Sequence, residues 1–109
     1  MKLKDRPKTK LSLFAEIALG KVANVWFPVT PAEILGRSRT RWVADARGQF
    51  CAILKTFHVP TTKIAGFTGR SISAVDHAIR ATRAMIKTDR EHRERFETVM
   101  QRLTGYRTK

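Results

Sequence analysis

The stretch Thr62-Lys63-Ile64-Ala65-Gly66-Phe67-Thr68-Gly69-Arg70-Ser71-Ile72-Ser73-Ala74-Val75-Asp76-His77-Ala78-Ile79 decides the fold. Two helices that meet at a steep angle through a tight turn need a small residue where the second crosses the first. They also need a glycine where the turn takes positive φ, and apolar residues that lock the pair. Ala65 supplies the small residue, and Gly69 follows four positions later. Ile64, Ile72, Val75 and Ile79 fall where the locking residues belong, so all four are expected in the core. Ser71 suits the N-cap of the second helix, which leaves Arg70, Ser73, Ala74, His77 and Arg80 for its outer face. The pattern is that of a helix-turn-helix, although a two-helix hairpin in a purely structural bundle shares part of it.

On the N-terminal side, Leu11, Phe14, Ile17, Ala18, Val22, Val25 and Trp26 recur at helical spacing and predict a helix over Leu11–Phe27, stopped by Pro28. Thr30-Pro31-Ala32-Glu33 opens a short helix with a capping box and ends near Gly36. Arg37-Ser38-Arg39-Thr40-Arg41 alternates charge and hydroxyl as a loop. The stripe Trp42, Val43, Ala46, Phe50, Ile53, Leu54 and Phe57 then marks a central core helix to His58, with Gly48 as a weak point. Val59-Pro60 ends that helix, and Thr61 or Thr62 is expected to cap a short helix through Phe67. The second helix of the motif is expected from Ile72 to about Lys87. Asp89 caps a last helix whose Phe96, Val99, Met100 and Leu103 face inward and which Gly105 ends. The organisation expected is a basic arm at 1–10, one helical domain at 11–104 and a basic tail at 105–109. It is an all-α, compact bundle of about six helices without strands or repeats.

A chain of 109 residues holds one modest core, too little for a nucleotide-driven engine beside it. Its 22 Lys and Arg against 9 Asp and Glu give a formal net charge of +13. Such a surface attracts polyanions, whether DNA, RNA or an anionic membrane. The single cysteine, Cys51, lies in an apolar helical stretch and reads as a buried thiol in a reducing cytosol. His58, His77 and His92 have no metal-ligand spacing, so neither metal nor cofactor is expected. The run Leu11–Phe27 follows a basic segment but is interrupted by Glu16, Lys21 and Asn24, so it reads neither as a signal peptide nor as a membrane span. Paired carboxylates, a Ser-His-Asp set and a phosphate-binding glycine loop are all missing, which speaks against an enzyme.

Three segments carry a family resemblance. They are Ala32-Glu33-Ile34-Leu35 with Arg37-Ser38-Arg39-Thr40-Arg41, then Val43-Ala44-Asp45-Ala46-Arg47, and then Gly69 through Arg80. From about Ile17 to Leu103 the chain resembles the C-terminal DNA-binding domain of the bacterial replication initiator DnaA, a Trp-repressor-like helical fold. The resemblance implies that the basic loop, here Arg37, Arg39 and Arg41, reaches the minor groove. It also implies that Arg47 touches the backbone and that the helix from Ile72 enters the major groove. The family's Asp-His-Thr-Thr after Gly-Arg is replaced here by Ser71, Ile72, Ser73 and Ala74. The resemblance therefore implies the fold and docking mode rather than the family's own DNA box, and the family's ATPase module has no counterpart in these residues.

Arg70, at a helix entrance, is placed to meet a phosphate. Ser73 and Ala74 are small enough to approach base edges or a thymine methyl. His77 and Arg80 lie one and two turns further on, where His77 fits an ordinary exposed surface equally well. Asp76 opposes a groove on its side of the helix. Trp26, Trp42 and Phe57 read as core. The expected partner is double-stranded DNA, and the expected role is that of a cytoplasmic, nucleoid-associated regulator of transcription or replication of bacterial or phage type. The alternative is a DnaA-like protein-interaction module that modulates the replication initiation machinery, with replication or transcription proteins as its partners.

Overall fold

The computed structural model describes residues 10–107. Its elements are α1 (Lys10–Val25), α2 (Pro31–Leu35), α3 (Arg41–Thr56), α4 (Thr61–Thr68), α5 (Ile72–Thr88) and α6 (Arg90–Arg107), with no strand among the described residues. The chain is thus a compact all-α bundle of six helices. Of the expected basic arm only Lys10 is described, as the first residue of α1, and the rest of the arm lies outside the described residues.

Local chemistry sets most boundaries. Thr30 caps α2 through a capping box: Glu33 N–H donates to Thr30 Oγ1 at 3.2 Å, and Thr30 N–H donates to Glu33 Oε1 at 2.9 Å. At the end of α3, His58 takes φ +68, Val59 N–H donates to the Leu54 carbonyl and His58 N–H to the Lys55 carbonyl. This is a Schellman closure with histidine where glycine is usual. Neither threonine caps α4. Pro60 stands at its N-cap, Thr61 is its first residue, and the Thr61 hydroxyl accepts from Lys55 Nζ. Asp89 does cap α6, accepting from His92 N–H at 3.1 Å. Gly105 does not end that helix: it takes no positive φ, and α6 runs on to Arg107.

The core is centred on α3, whose residues Ala46 through Leu54 are buried without a break. Such a helix must be packed all round. α5 covers the largest part of it, and α1, α2, α4 and α6 close the remaining sides. α3 meets α5 closely at Gly48, where an added Cβ would collide with Thr82 Oγ1 and meet the Ala78 carbonyl at 3.7 Å. Gly48 is therefore a contact point of the two helices rather than a weak point of α3. Thr82 is buried and β-branched, so it has little freedom to step aside.

A second corner joins α1, α3 and α6 through polar links inside the core. Trp26 Nε1 donates to Gln49 Oε1 at 3.1 Å, and Gln49 Nε2 donates to the His92 carbonyl at 2.8 Å. Trp42 Nε1 donates to the Trp26 carbonyl at 3.0 Å, and the two indoles meet edge to face at 4.7 Å. The Arg95 guanidinium lies over both rings, 4.9 Å from Trp26 and 4.6 Å from Trp42. The His92 ring packs on Trp26, and its Nε2 is buried without a hydrogen-bond partner. Burial pushes the His92 pKa below its usual 6.5, against the pull of Asp45 and Asp89 and with the push of Arg95 and Arg41. The reading of Cys51 as a core thiol holds: it is buried, and its pKa is pushed up to about 11 by that burial.

Two outcomes follow from these packing facts. Gly48→Ala is expected to destabilise the chain by about 1–3 kcal/mol through overpacking, and Thr82→Ala in the same chain is expected to restore a good part of it. Denaturant titration of the two single variants and the double variant measures that coupling. His92 binds its proton less readily folded than unfolded, so its contribution is intact above its ordinary pKa of 6.5 and is lost as pH falls through the lower folded value. The melting temperature should accordingly fall between about pH 7 and pH 5, and His92→Phe, which keeps the ring against Trp26, should flatten that fall.

Candidate functional site

The α2–α3 connection carries Arg37 and Arg39, with Arg41 opening α3 directly after it, and a chain that short cannot bury them. What positions the connection is another arginine further along α3. Arg47 lies on α3 four residues after Val43 and four before Cys51, on the buried side, and is only 8% exposed. Its Nε donates to the Ile34 carbonyl at 2.7 Å, Nη1 to Ser38 at 3.2 Å, and Nη2 to both Glu33 and Gly36 at 3.1 Å. These are carbonyls at the end of α2 and in the loop beyond it, of which that of Glu33 also accepts from Gly36 N–H at 3.1 Å. One guanidinium therefore caps α2 and gathers the loop. The expected DNA-backbone contact at Arg47 gives way to this internal role, because every nitrogen of the group already donates inward.

Arg70 makes the same kind of link from the other side. Its Nη2 donates to the Gly36 carbonyl at 2.7 Å and its Nη1 to the Thr68 carbonyl at 3.0 Å. The Gly36 oxygen thus receives both guanidinium groups, joining the α2–α3 loop to the α4–α5 turn. That turn is Gly69-Arg70-Ser71. Gly69 takes φ +66 with open space around it, and its N–H donates to the Ala65 carbonyl. Ser71 caps α5, its Oγ accepting from Ala74 N–H at 3.0 Å.

Between loop and turn lies an open cleft of about 660 Å³, lined by Arg37, Arg39, Arg47 and Arg70 together with Thr68 and Gly69 among others, and none of its lining residues is acidic. Burial, and after it the adjacent charge of Arg70, lowers the Arg47 pKa from the ordinary arginine value, but a guanidinium stays charged at neutral pH. Arg37 and Arg39 are exposed, with no hydrogen bond or ion pair among the described residues. The cleft therefore holds four cations with no carboxylate to neutralise them.

The remaining expected site residues are spread along the two helices that leave the cleft. Arg41 opens α3 and pairs loosely with Asp45 at 3.8 Å. Ser73, Ala74 and His77 are exposed on α5, and Arg80 pairs with Asp76 at 3.3 Å. Ile72 departs from expectation. It is 53% exposed rather than locked in the core, while Ile64, Val75 and Ile79 are buried. It is the first residue of α5, and α4 has already ended at Thr68, so no helix covers it. Gly36, whose carbonyl joins the two arginines, escaped the sequence reading, since a carbonyl acceptor leaves no residue-type signal. Arg47 left one: helical register from Val43 and Cys51 turns it inward.

Comparison with models of known protein families and with curated proteins finds no match for this chain. No helix among the described residues is long and apolar enough to cross a membrane.

Arg47→Lys is expected to lower stability by on the order of 2–4 kcal/mol, because one ammonium cannot reach four separated carbonyls and leaves some of them unsatisfied. Arg37→Ala, on the rim, should change it by no more than about 0.5 kcal/mol. Denaturant unfolding of both variants separates the internal arginine from the surface one.

Proposed function

We propose that this chain is a DNA-binding protein in which α4 and α5 act as a helix-turn-helix, α5 lies in the major groove, and the loop Arg37–Arg41 grips the adjacent backbone or minor groove. The observation that carries the reading is the cleft of four arginines with no acidic lining residue, immediately before the first turn of α5. Cations gathered without counter-charges favour an anion, and a net charge of +13 favours a long one. Side chains such as Ser73, Ala74 and His77, exposed one to two turns past the cleft, reach bases in the major groove of B-form DNA, whereas the narrow major groove of an RNA duplex would exclude them. The division of labour is the usual one: arginines set register on phosphates, and the helix face reads base edges. The resemblance to the DnaA C-terminal domain supports the same docking mode. A nucleoid-associated regulator of transcription or replication is the role that fits.

A second reading, a module that engages replication or transcription proteins, is favoured by Phe27, which stands 80% exposed at the corner between α1 and α2. An aromatic ring that open is an anchor for a protein surface rather than for a polyanion.

Duplex binding should weaken steeply with salt, by about 0.9 log units of affinity per log unit of salt for each phosphate neutralised. Replacing Arg37, Arg39 and Arg41 together by alanine should make that slope shallower by up to about 2.7 and leave the melting temperature unchanged. Fluorescence anisotropy across a salt series reads both. Binding indifferent to salt and to the triple replacement defeats the electrostatic reading, and no duplex binding even at low salt shifts the weight to the protein-interaction module.

A further inference from the structure

The exposed isoleucine is the feature that phosphate binding does not use. Ile72 is 53% exposed directly after the cap Ser71, and its neighbours Ser73 and Ala74 are exposed too. With 100° between successive residues, three consecutive first-turn side chains fan across about 200° of the helix surface. That fan contains two apolar groups, one hydroxyl and no charge. It begins two residues after Arg70, which lines the arginine cleft with Arg37 and Arg39. An isolated exposed isoleucine would mean little. Here the apolar tip adjoins a cationic cleft, so a partner complementary to both must be polyanionic and must carry apolar groups inside its charged margin. Duplex DNA has that character, because the thymine methyl stands in the major groove between two phosphate backbones.

We propose that Ile72 contacts a thymine methyl group, so that the chain selects thymine-bearing sites by apolar contact rather than by paired hydrogen bonds. The inference rests on the DNA-binding reading above. The first turn has little hydrogen-bonding capacity to do otherwise: the Ser71 hydroxyl oxygen is occupied by Ala74 N–H, and Ser73 offers a single hydroxyl. The same contact would tell DNA from RNA, since uracil lacks the methyl.

The test compares binding to a short duplex of alternating dA and dT with binding to the same duplex carrying dU for every dT, which removes the methyl and leaves charge and hydrogen-bonding edges in place. A companion pair of alternating dG and dC duplexes, with and without 5-methylcytosine, adds the methyl at the same groove position. The protein as it stands should bind the thymine duplex more tightly by about fourfold for each methyl buried, and cytosine methylation should raise affinity by a similar factor. Ile72→Ser, exposed and so expected to fold normally, should bind the thymine and uracil duplexes alike. Equal binding of thymine and uracil duplexes by the unaltered chain overturns the inference and leaves the DNA reading standing. An Ile72→Ser chain that still separates them overturns the assignment to Ile72. Failure to bind any of the four duplexes removes the DNA reading and the inference with it.

Discussion

A buried guanidinium with no carboxylate near it is the constraint on which the rest of the site depends. Arg47 is satisfied by carbonyl dipoles alone, those of Glu33, Ile34, Gly36 and Ser38. Carbonyls meet its hydrogen-bonding demand without cancelling its charge, so the full positive charge remains behind the cleft. Arg70 then shares the Gly36 oxygen, which sets two like charges close together and leaves their repulsion standing. An anion in the cleft would relieve that repulsion, and any ligand that binds only the folded chain also stabilises it. The cationic character of the loop is thus anchored in the core rather than scattered on a surface.

The orientation of α5 relative to this anchor is fixed by the absence of one atom. At Gly48 the backbone of α3 comes close enough to α5 that the Thr82 hydroxyl occupies the space a Cβ would need. Arg70 ties the turn that starts α5 to the loop that Arg47 holds. Helix, turn and loop are therefore linked to one another, with the exposed faces of Arg37, Arg39 and the first turn of α5 as their outer surface.

The helices were legible because apolar spacing, the Thr30 capping box and the Ser71 cap are local signals that tertiary packing left in place. What was misread depended on who sits across from a residue. Gly48 looks like a helix defect until Thr82 is opposite it. Ile72 has the spacing of a core residue from Val75 and Ile79, yet α4 ends too early to cover it. Arg47 reads as surface charge because arginine is so seldom buried, although its register with Val43 and Cys51 turned it inward. Most of the arginine site could be picked out by residue type, whereas the cleft itself could not, since it arises from a carbonyl of Gly36 that no side-chain pattern announces.

The corner built by Trp26, Trp42, Arg95 and His92 has an optical consequence. The chain has two tryptophans, and both lie in that corner, 4.7 Å apart and under one guanidinium. Intrinsic fluorescence is therefore a report from a single place, where α1, α3 and α6 meet, and α4 and α5 contain no indole of their own. Emission from this protein follows the seating of α6 and the protonation of His92, while an occupant of the arginine cleft is followed by a dye on the occupant, so the two events are watched through separate colours.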